Sequence, residues 1–260
     1  AGSSWYFLRF TDPHNDSEPF SQEAQKYWMP VDLYVGGPEH TVGHLLYARF
    51  WQKVLFDAGL VSHPEPFKKL AHQGMILGKD GEKMSKSRGN VEPLEEVIEK
   101  FGADTVRTFI CFLGPMDKDK AWSPTGVEGV KRFLERVSRL VFDDSGNVVA
   151  KDTPMSDDLK KTLHKTIKKV THDIETMGFN TAISQMMILV NEVYKQDTRP
   201  KDLMLTFSQL LMPFAPHLAE EIWHRLGGSG LVSLAPWPNF DEALCKDDKI
   251  TLGVQVNGKM

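Results

Sequence analysis

Val31-Asp32-Leu33-Tyr34-Val35-Gly36-Gly37-Pro38-Glu39-His40 reads as a β-rich run stopped by two glycines and a proline. The pattern predicts a buried strand. After it, Leu45, Leu46, Ala48, Phe50, Val54 and Leu55 recur near helical spacing, and Gly59 is placed to close the helix. That helix is expected from about His40 to Leu60. Beyond the Pro64 and Pro66 turn, Leu70 to Leu77 reads as a second strand. A strand–helix–strand unit of this length is a crossover, so its two strands should run parallel. Open parallel sheets bind ligands beyond the carboxyl ends of their strands. Gly36 and Gly37 sit at such an end, where a missing Cβ lets backbone approach a nucleotide. The Glu39 carboxylate suits paired hydrogen bonding to ribose hydroxyls. His40 and His44 lie one helical turn apart on the same side. Glu39, His40 and His44 also admit two other readings: a metal site lacking an evident further ligand, and ordinary cap and core polar residues.

The second strand runs into Leu77-Gly78-Lys79-Asp80-Gly81-Glu82-Lys83-Met84-Ser85-Lys86-Ser87-Arg88-Gly89-Asn90. Asp80-Gly81 is a tight turn. Lys83 and Lys86 offer point charges, and Ser85 and Ser87 offer hydroxyls. A mobile loop of this make-up can wrap a polyphosphate. Charge and hydroxyl content alone equally describe a solvated surface loop. Because this loop and the Gly36–His40 turn follow adjacent parallel strands, both should open onto one crevice.

Around Pro115–Pro124 the pattern changes. Leu94–Phe101 and Ala103–Phe112 read as two short helices hinged at Gly102. Ser123-Pro124 then starts a succession of amphipathic helices. Their narrow apolar stripes imply a bundle, with Met177, Met186, Met187, Met204 and Met212 as core filler. The fold class is therefore α/β plus all-α. A tail rich in Gly and Pro follows, and Ile250–Gly258 alternates like a strand. Residues 260 in number, 41% hydrophobic and 25% charged, are those of a globular protein of one or two domains. A net charge of −4 excludes a generic basic coat for nucleic acid but not a local basic stripe. Lys131, Arg132, Arg136 and Arg139 form such a stripe on the first bundle helix, suited to RNA phosphates. Interleaved Glu128 and Glu135 allow a plain solvated face instead. Cys111 and Cys245 match no metal spacing and read as reduced thiols of a cytoplasmic protein. No apolar run reaches membrane-spanning length, so no membrane partner is expected.

The motif Lys83-Met84-Ser85-Lys86-Ser87 resembles the second signature of the class I aminoacyl-tRNA synthetases. The run Asp32–Phe50 narrows the resemblance to the leucyl type, bacterial or organellar. Supporting stretches are Gly2–Arg9, Gln73-Gly74-Met75, Gly102-Ala103-Asp104 with Arg107, Phe179–Ala182, and Pro213–His217 with Glu220, Glu221 and Trp223. They cover nearly the whole chain in order. The resemblance implies residues 1–122 as the second half of a Rossmann-like catalytic domain with its stem-contact segment. It implies 123–240 as a helical tRNA-binding domain, and 241–260 as a linker and the start of a truncated domain. The first class I signature and the editing domain of this family have no counterpart here. His40-Thr41-Val42-Gly43-His44 is one residue too long for that signature and wrongly placed. The resemblance thus implies part of a leucine–tRNA ligase, inactive without the missing N-terminal half. Its partners would be ATP with substrate-borne Mg²⁺, leucine and tRNA(Leu), with no metal held by the protein.

The roles implied follow residue by residue. Lys83 and Lys86 would follow the β- and γ-phosphates, with Ser85 and Ser87 as hydroxyl donors. Glu39 and Gly37 would hold the ribose, and Gly36 would also bind ATP. His44, Gln73 and Met75 would line the adenine side. His40, Tyr6 and Ser3 would border the leucine, and Lys131, Arg132, Arg136 and Arg139 would meet tRNA. Two alternatives stay open: a non-catalytic tRNA-binding module, and a nucleotidyltransferase of the same superfamily, which would need a His-rich signature that this chain lacks.

Overall fold

The computed structural model describes residues 2–246. The chain divides into two compact units, residues 1–91 with Met116–Trp122, and residues 92–115 with 123 onward. The expected single cut at 122 differs from this division in the placement of residues 92–115. The expected strand at Ile250–Gly258 lies outside the described residues.

In the first unit the opening helices are α1 (Tyr6–Arg9), preceded by a 3-10 turn at Gly2–Ser4, and α2 (Gln22–Trp28). Ser21 caps α2 by accepting from the Ala24 N–H. No side chain caps α1, where Trp5 takes the cap position. Strand β1 (Tyr34–Gly36) leads through a 3-10 turn, Pro38–His40, and a π turn, Thr41–Leu45, into α3 (Leu46–Asp57). Gly59, at φ +71°, ends α3 as its position implied. Phe7, Leu8, Phe20, Met29, Ala48 and Val61 form the small core.

β1 pairs in parallel with β2 (Leu70–His72), as the crossover required. The expectation of a buried strand is corrected, because Val35 is 44% exposed and Tyr34 half-buried. A two-stranded sheet leaves a face open to water. The expected single strand Leu70–Leu77 is also corrected. It breaks at Gln73–Met75, and β3 (Ile76–Leu77) pairs in parallel with a strand that pattern reading missed, β4 (Lys120–Ala121). Gly74 makes the break possible. Its N–H donates to the Met116 carbonyl at 2.8 Å, and a Cβ there would lie 2.1 Å from the Lys118 backbone.

Glu65 accepts from Arg49 and Lys53 of α3 at 2.7–2.9 Å. The Arg49 hydrogen bond, then that of Lys53, pulls the Glu65 carboxyl from 4.5 to about 2. A depressed carboxyl stabilises the fold above its unfolded value and loses that contribution as pH falls through the folded one. The group is 40% exposed, so water screens the effect to below about 1 kcal/mol. Acid titration of Glu65→Gln beside the parent should show a small, constant deficit above pH ~5 that closes towards pH ~2. A gap widening at low pH would contradict this.

The second unit is helical. α4 (Leu94–Phe101) and α5 (Ala103–Phe112) meet at Gly102, whose φ of +86° makes the hinge. Ser123 caps α6 (Pro124–Val141) and Ser156 caps α7 (Asp157–Glu175). Then come α8 (Phe179–Tyr194), α9 (Lys201–Leu211) and α10 (Pro216–Arg225). Leu140, Ile183, Met186, Met204 and Phe207 are at most 1% exposed, so two of the five methionines read as filler lie deep in the core. Buried Asp173 joins Lys169 (2.6 Å) on α7 to Thr181 (2.7 Å) on α8. The tail lies along the bundle, Trp237 donating to Thr171 and the Asp241 N–H to His164.

Asp104 of α5 reaches the start of α10. It accepts from the Leu218 N–H at 2.8 Å and pairs with His217 Nδ1 at 2.7 Å. Ala215, the residue before α10, has no side chain able to cap it. A carboxylate from a distant helix therefore satisfies one of the backbone donors of the first turn, that of Leu218.

Candidate functional site

The carboxyl end of β1 opens onto a cavity of about 480 Å³, within the range of small-ligand sites. Ser3, Tyr6, Gly36, Gly37, His40, His44 and Gln73 line it, all of them named from sequence, together with Tyr34, Val35, Leu45 and Leu70. Three elements converge here. The N-terminal turn brings Ser3 and Tyr6, the end of β1 brings the glycines, and the π turn brings His44 inward.

At the cavity wall the Tyr34 hydroxyl lies 2.6 Å from the Tyr6 hydroxyl and 2.6 Å from His44 Nε2. A chain in which Tyr6 donates to Tyr34, and Tyr34 to a neutral His44, satisfies both hydroxyls. Burial, and then the Tyr6 hydroxyl, push the Tyr34 phenol above its ordinary value. Tyr34 therefore stays protonated and acts as a hydrogen-bonding strut. Phe67 stacks on its ring at 3.9 Å. Sequence reading passed over Tyr34. The available signal was its place on the Gly36 face of the strand, two residues before that glycine.

Glu39 is not among the lining residues. Its carboxylate folds over Gly37, where a Cβ would meet it at 2.1 Å, and it lies 3.7 Å from His40. Gly37 lines the cavity, so Glu39 sits at the rim with its oxygens open to solvent. Met75 is at the β2–β3 break, its N–H donating to Asp119 at 2.7 Å. It too lies outside the lining.

The Lys83–Ser87 loop belongs to the same unit and leaves the end of β3. Lys83 bridges back to Leu77, and Lys86–Arg88 forms a 3-10 turn closed by Gly89 at φ +65°. Ser85 and Ser87 hydroxyls are 3.2 Å apart. Arg88 pairs with Glu82 at 3.0 Å. Lys83 and Lys86 are exposed, and among the described residues neither has a carboxylate within ion-pair distance. Their charges face solvent. The segment has the form of a hairpin. Asn90, after the 3-10 turn, donates to Asp80 in the turn before Lys83. The Glu82 N–H, above all, holds the Asp80 carboxyl below its ordinary range.

The basic stripe of α6 is only partly exposed. Arg132 and Arg139 face water, but Lys131 and Arg136 are half-buried. Lys131 lies 5.8 Å from the Phe101 ring centroid. Arg136 stacks on Tyr194 at 4.7 Å and donates to Asn191. A guanidinium with a long apolar stem packs against a neighbouring helix at little cost, and periodicity alone does not reveal it. Among the described residues no group of three or more His, Cys, Asp or Glu is arranged to hold a metal ion. None of the described helices is long and apolar enough to cross a membrane.

β1 ends in Gly-Gly-Pro-Glu-His, whereas the lysine-bearing hairpin follows β3 of the second strand pair, and none of Lys83–Ser87 lines the β1 cavity, so the expectation of one crevice shared by adjacent strands is corrected. The fold is that of the class I tRNA synthetases. Residues 9–123 match the family "tRNA synthetases class I (I, L, M and V)", and residues 158–260 match "Anticodon-binding domain of tRNA ligase". Over its whole length the chain is similar to the leucine branch of this family. It is 66% identical over its whole length to 33% of the leucine–tRNA ligase of Bdellovibrio bacteriovorus. It is 52% identical to 32% of that of Chlorobium phaeobacteroides. The chain therefore spans about a third of the length of these relatives. A crystal structure of the ternary LeuRS–tRNA–LeuAMS complex of Agrobacterium radiobacter superposes on 99% of this chain and 35% of its own. Its TM-score is 0.84 at 37% identity.

Proposed function

We propose that this chain carries the ATP-clamping half of a leucine-activating site, together with a helical unit that meets tRNA(Leu). The reaction is leucine carboxylate attack on the α-phosphate of ATP, releasing pyrophosphate, then transfer of the leucyl group to the terminal adenosine of tRNA. One observation carries this reading above the rest. Seven side chains and glycines chosen for nucleotide and amino-acid contacts line one cavity at a parallel strand end.

The chemistry assigned follows the geometry. Lys83 and Lys86, exposed and without carboxylate partners, meet the β- and γ-phosphates, and Ser85 and Ser87 add donors. The first step is dominated by positioning and by stabilising negative charge on the departing pyrophosphate. Mg²⁺ arrives with ATP as part of the substrate. Glu39 at the rim and the adjacent Gly36 and Gly37 hold the ribose. Gln73 and Met75 lie on the adenine side. Ser3, Tyr6 and His40 border leucine, and His44, tied to Tyr6 through Tyr34, stands between the two subsites. Arg132 and Arg139, the outward members of the α6 stripe, are the stronger candidates for phosphate contacts; Lys131 and Arg136 are weaker ones.

The active site is completed by the remaining length found in the relatives. An exposed apolar stripe supports this: Val42 (81%), Leu46, Phe50 and Val54 recur every four residues, a width of open apolar surface that favours a protein cover. Leucine-dependent ATP–pyrophosphate exchange tests the proposal. The isolated chain should show none. A chimaera in which it replaces its counterpart in the Bdellovibrio bacteriovorus ligase should show robust exchange. A well-folded chimaera that charges no leucine would refute the assignment.

A further inference from the structure

The two lysines assigned to phosphate stand on a hairpin whose shape is set by a single amide. Asn90 Oδ1 accepts from the Ser85 N–H at 2.9 Å, in the middle of the Lys83–Ser87 segment. Its Nδ2 donates to both Asp80 oxygens at 3.1–3.2 Å, and more distantly to the Lys83 carbonyl at 3.4 Å. Asp80 in turn accepts from the Glu82 N–H at 3.1 Å. One side chain thus ties the turn before Lys83 to the backbone between Lys83 and Lys86. The brace sits directly over Gly78, where a Cβ would approach Asp80 Oδ1 to 2.6 Å and Asn90 Nδ2 to 2.9 Å. Gly78 itself accepts no substitute without displacing it. No apolar core supports this segment, since all of residues 79–90 are exposed or half-buried.

We propose that Asn90 and Asp80 are positioning residues that preset the spacing of Lys83 and Lys86 for the triphosphate of ATP. The inference rests on the reading of the hairpin as a phosphate clamp. Two exposed lysine stems are long and flexible, so without a fixed backbone their charges would sample many arrangements. Preorganised charge costs no reorganisation when phosphate arrives. Neither brace residue need touch ATP. The Asn90 amide is consumed by the hairpin, and the Asp80 carboxylate would repel phosphate were it not turned to Asn90.

The donor–acceptor pattern provides a test by exchange of partners. Asn90→Asp places two carboxylates in contact, and Asp80→Asn leaves one acceptor oxygen for the Asn90 amide in place of two. The double variant Asp80→Asn with Asn90→Asp restores one donor facing one acceptor, and the new carboxylate still accepts from Ser85. In the chimaeric ligase, Asn90→Asp and Asn90→Ala should weaken kcat/KM for ATP by roughly tenfold to a hundredfold in pyrophosphate exchange, and Asp80→Asn by less. The KM for leucine should stay unchanged, and the double variant should recover most of the loss. Gly78→Ala, which only displaces the brace, should mimic Asn90→Ala.

Amide hydrogen exchange on the 260-residue chain without ATP supplies the second readout. The Ser85 amide should lose protection in Asn90→Ala and regain it in the double variant. Parental exchange rates and ATP kinetics in Asn90→Ala would overturn the proposal, as would a double variant no better than Asn90→Asp. A parent chimaera inactive towards leucine and ATP strikes at the phosphate-clamp reading instead. In that case the Ser85 protection pattern alone decides whether Asn90 and Asp80 brace the hairpin.

Discussion

Lys86→Ala in the chimaeric ligase is expected to cut leucine-dependent pyrophosphate exchange by roughly 10²–10³. The size follows from removing one preorganised cation from a developing phosphate charge. The exposure of Lys86, and its lack of a carboxylate partner among the described residues, make the experiment clean. An unpaired surface lysine contributes little to folding, so thermal unfolding of the variant should match the parent. Lys86→Arg should retain part of the activity, because the charge persists while its geometry changes. Equal exchange rates in Lys86→Ala and the parent would remove Lys86 from the site. A folded variant is essential to the argument, and the same unfolding scan provides that control.

The largest structural effect is expected at Asp104→Ala. Its carboxylate is only 14% exposed and serves two acceptor roles at the start of α10, to the Leu218 N–H and to His217. Alanine strands the Leu218 donor and removes a negative charge from a helix N-terminus. Loss of a cap and of a hydrogen bond to a charged group together cost about 2–3 kcal/mol. Asn in its place still accepts from Leu218 and should cost about half as much. Urea unfolding followed by helical circular dichroism reads both. Equal midpoints for Asp104→Ala and the parent would show that α10 needs no cap from α5. The interaction also gives a physical reason for two stretches that sequence reading quoted without a role. Gly102-Ala103-Asp104 and Pro213–His217 are the two ends of one contact, 113 residues apart.

Helices were the most legible part of the chain. Ser123-Pro124 and Gly102 mark their helix ends through local backbone chemistry, and each element begins or ends where those residues required. The strands were less so. Gly74 broke Leu70–Leu77 in two because of a close approach to Lys118, a contact that no local pattern encodes. β4 has two residues and no periodicity to detect. In the site, the glycines, His40 and His44 were visible because strand-end position and residue type coincide, whereas Tyr6 and Gln73 came only from the resemblance to the synthetase family. Tyr34 was not, because an aromatic in a strand ordinarily signals packing. Asn90 and Asp80 act through hydrogen bonds across ten residues of loop, and sequence spacing carries no sign of them. Arg136 looked like a surface cation until Tyr194 of another helix appeared beneath it.

The central claim is that the β1 cavity and the Lys83–Ser87 hairpin serve one nucleotide. Hydrogen–deuterium exchange of the chimaeric ligase with a non-hydrolysable leucyl-adenylate analogue, and then with ATP, tests it most directly. The adenylate analogue should protect Gly36–His44 and Gln73, and ATP should in addition protect Lys83–Asn90. Protection of neither segment by either ligand, in an enzyme that binds both, would contradict the account.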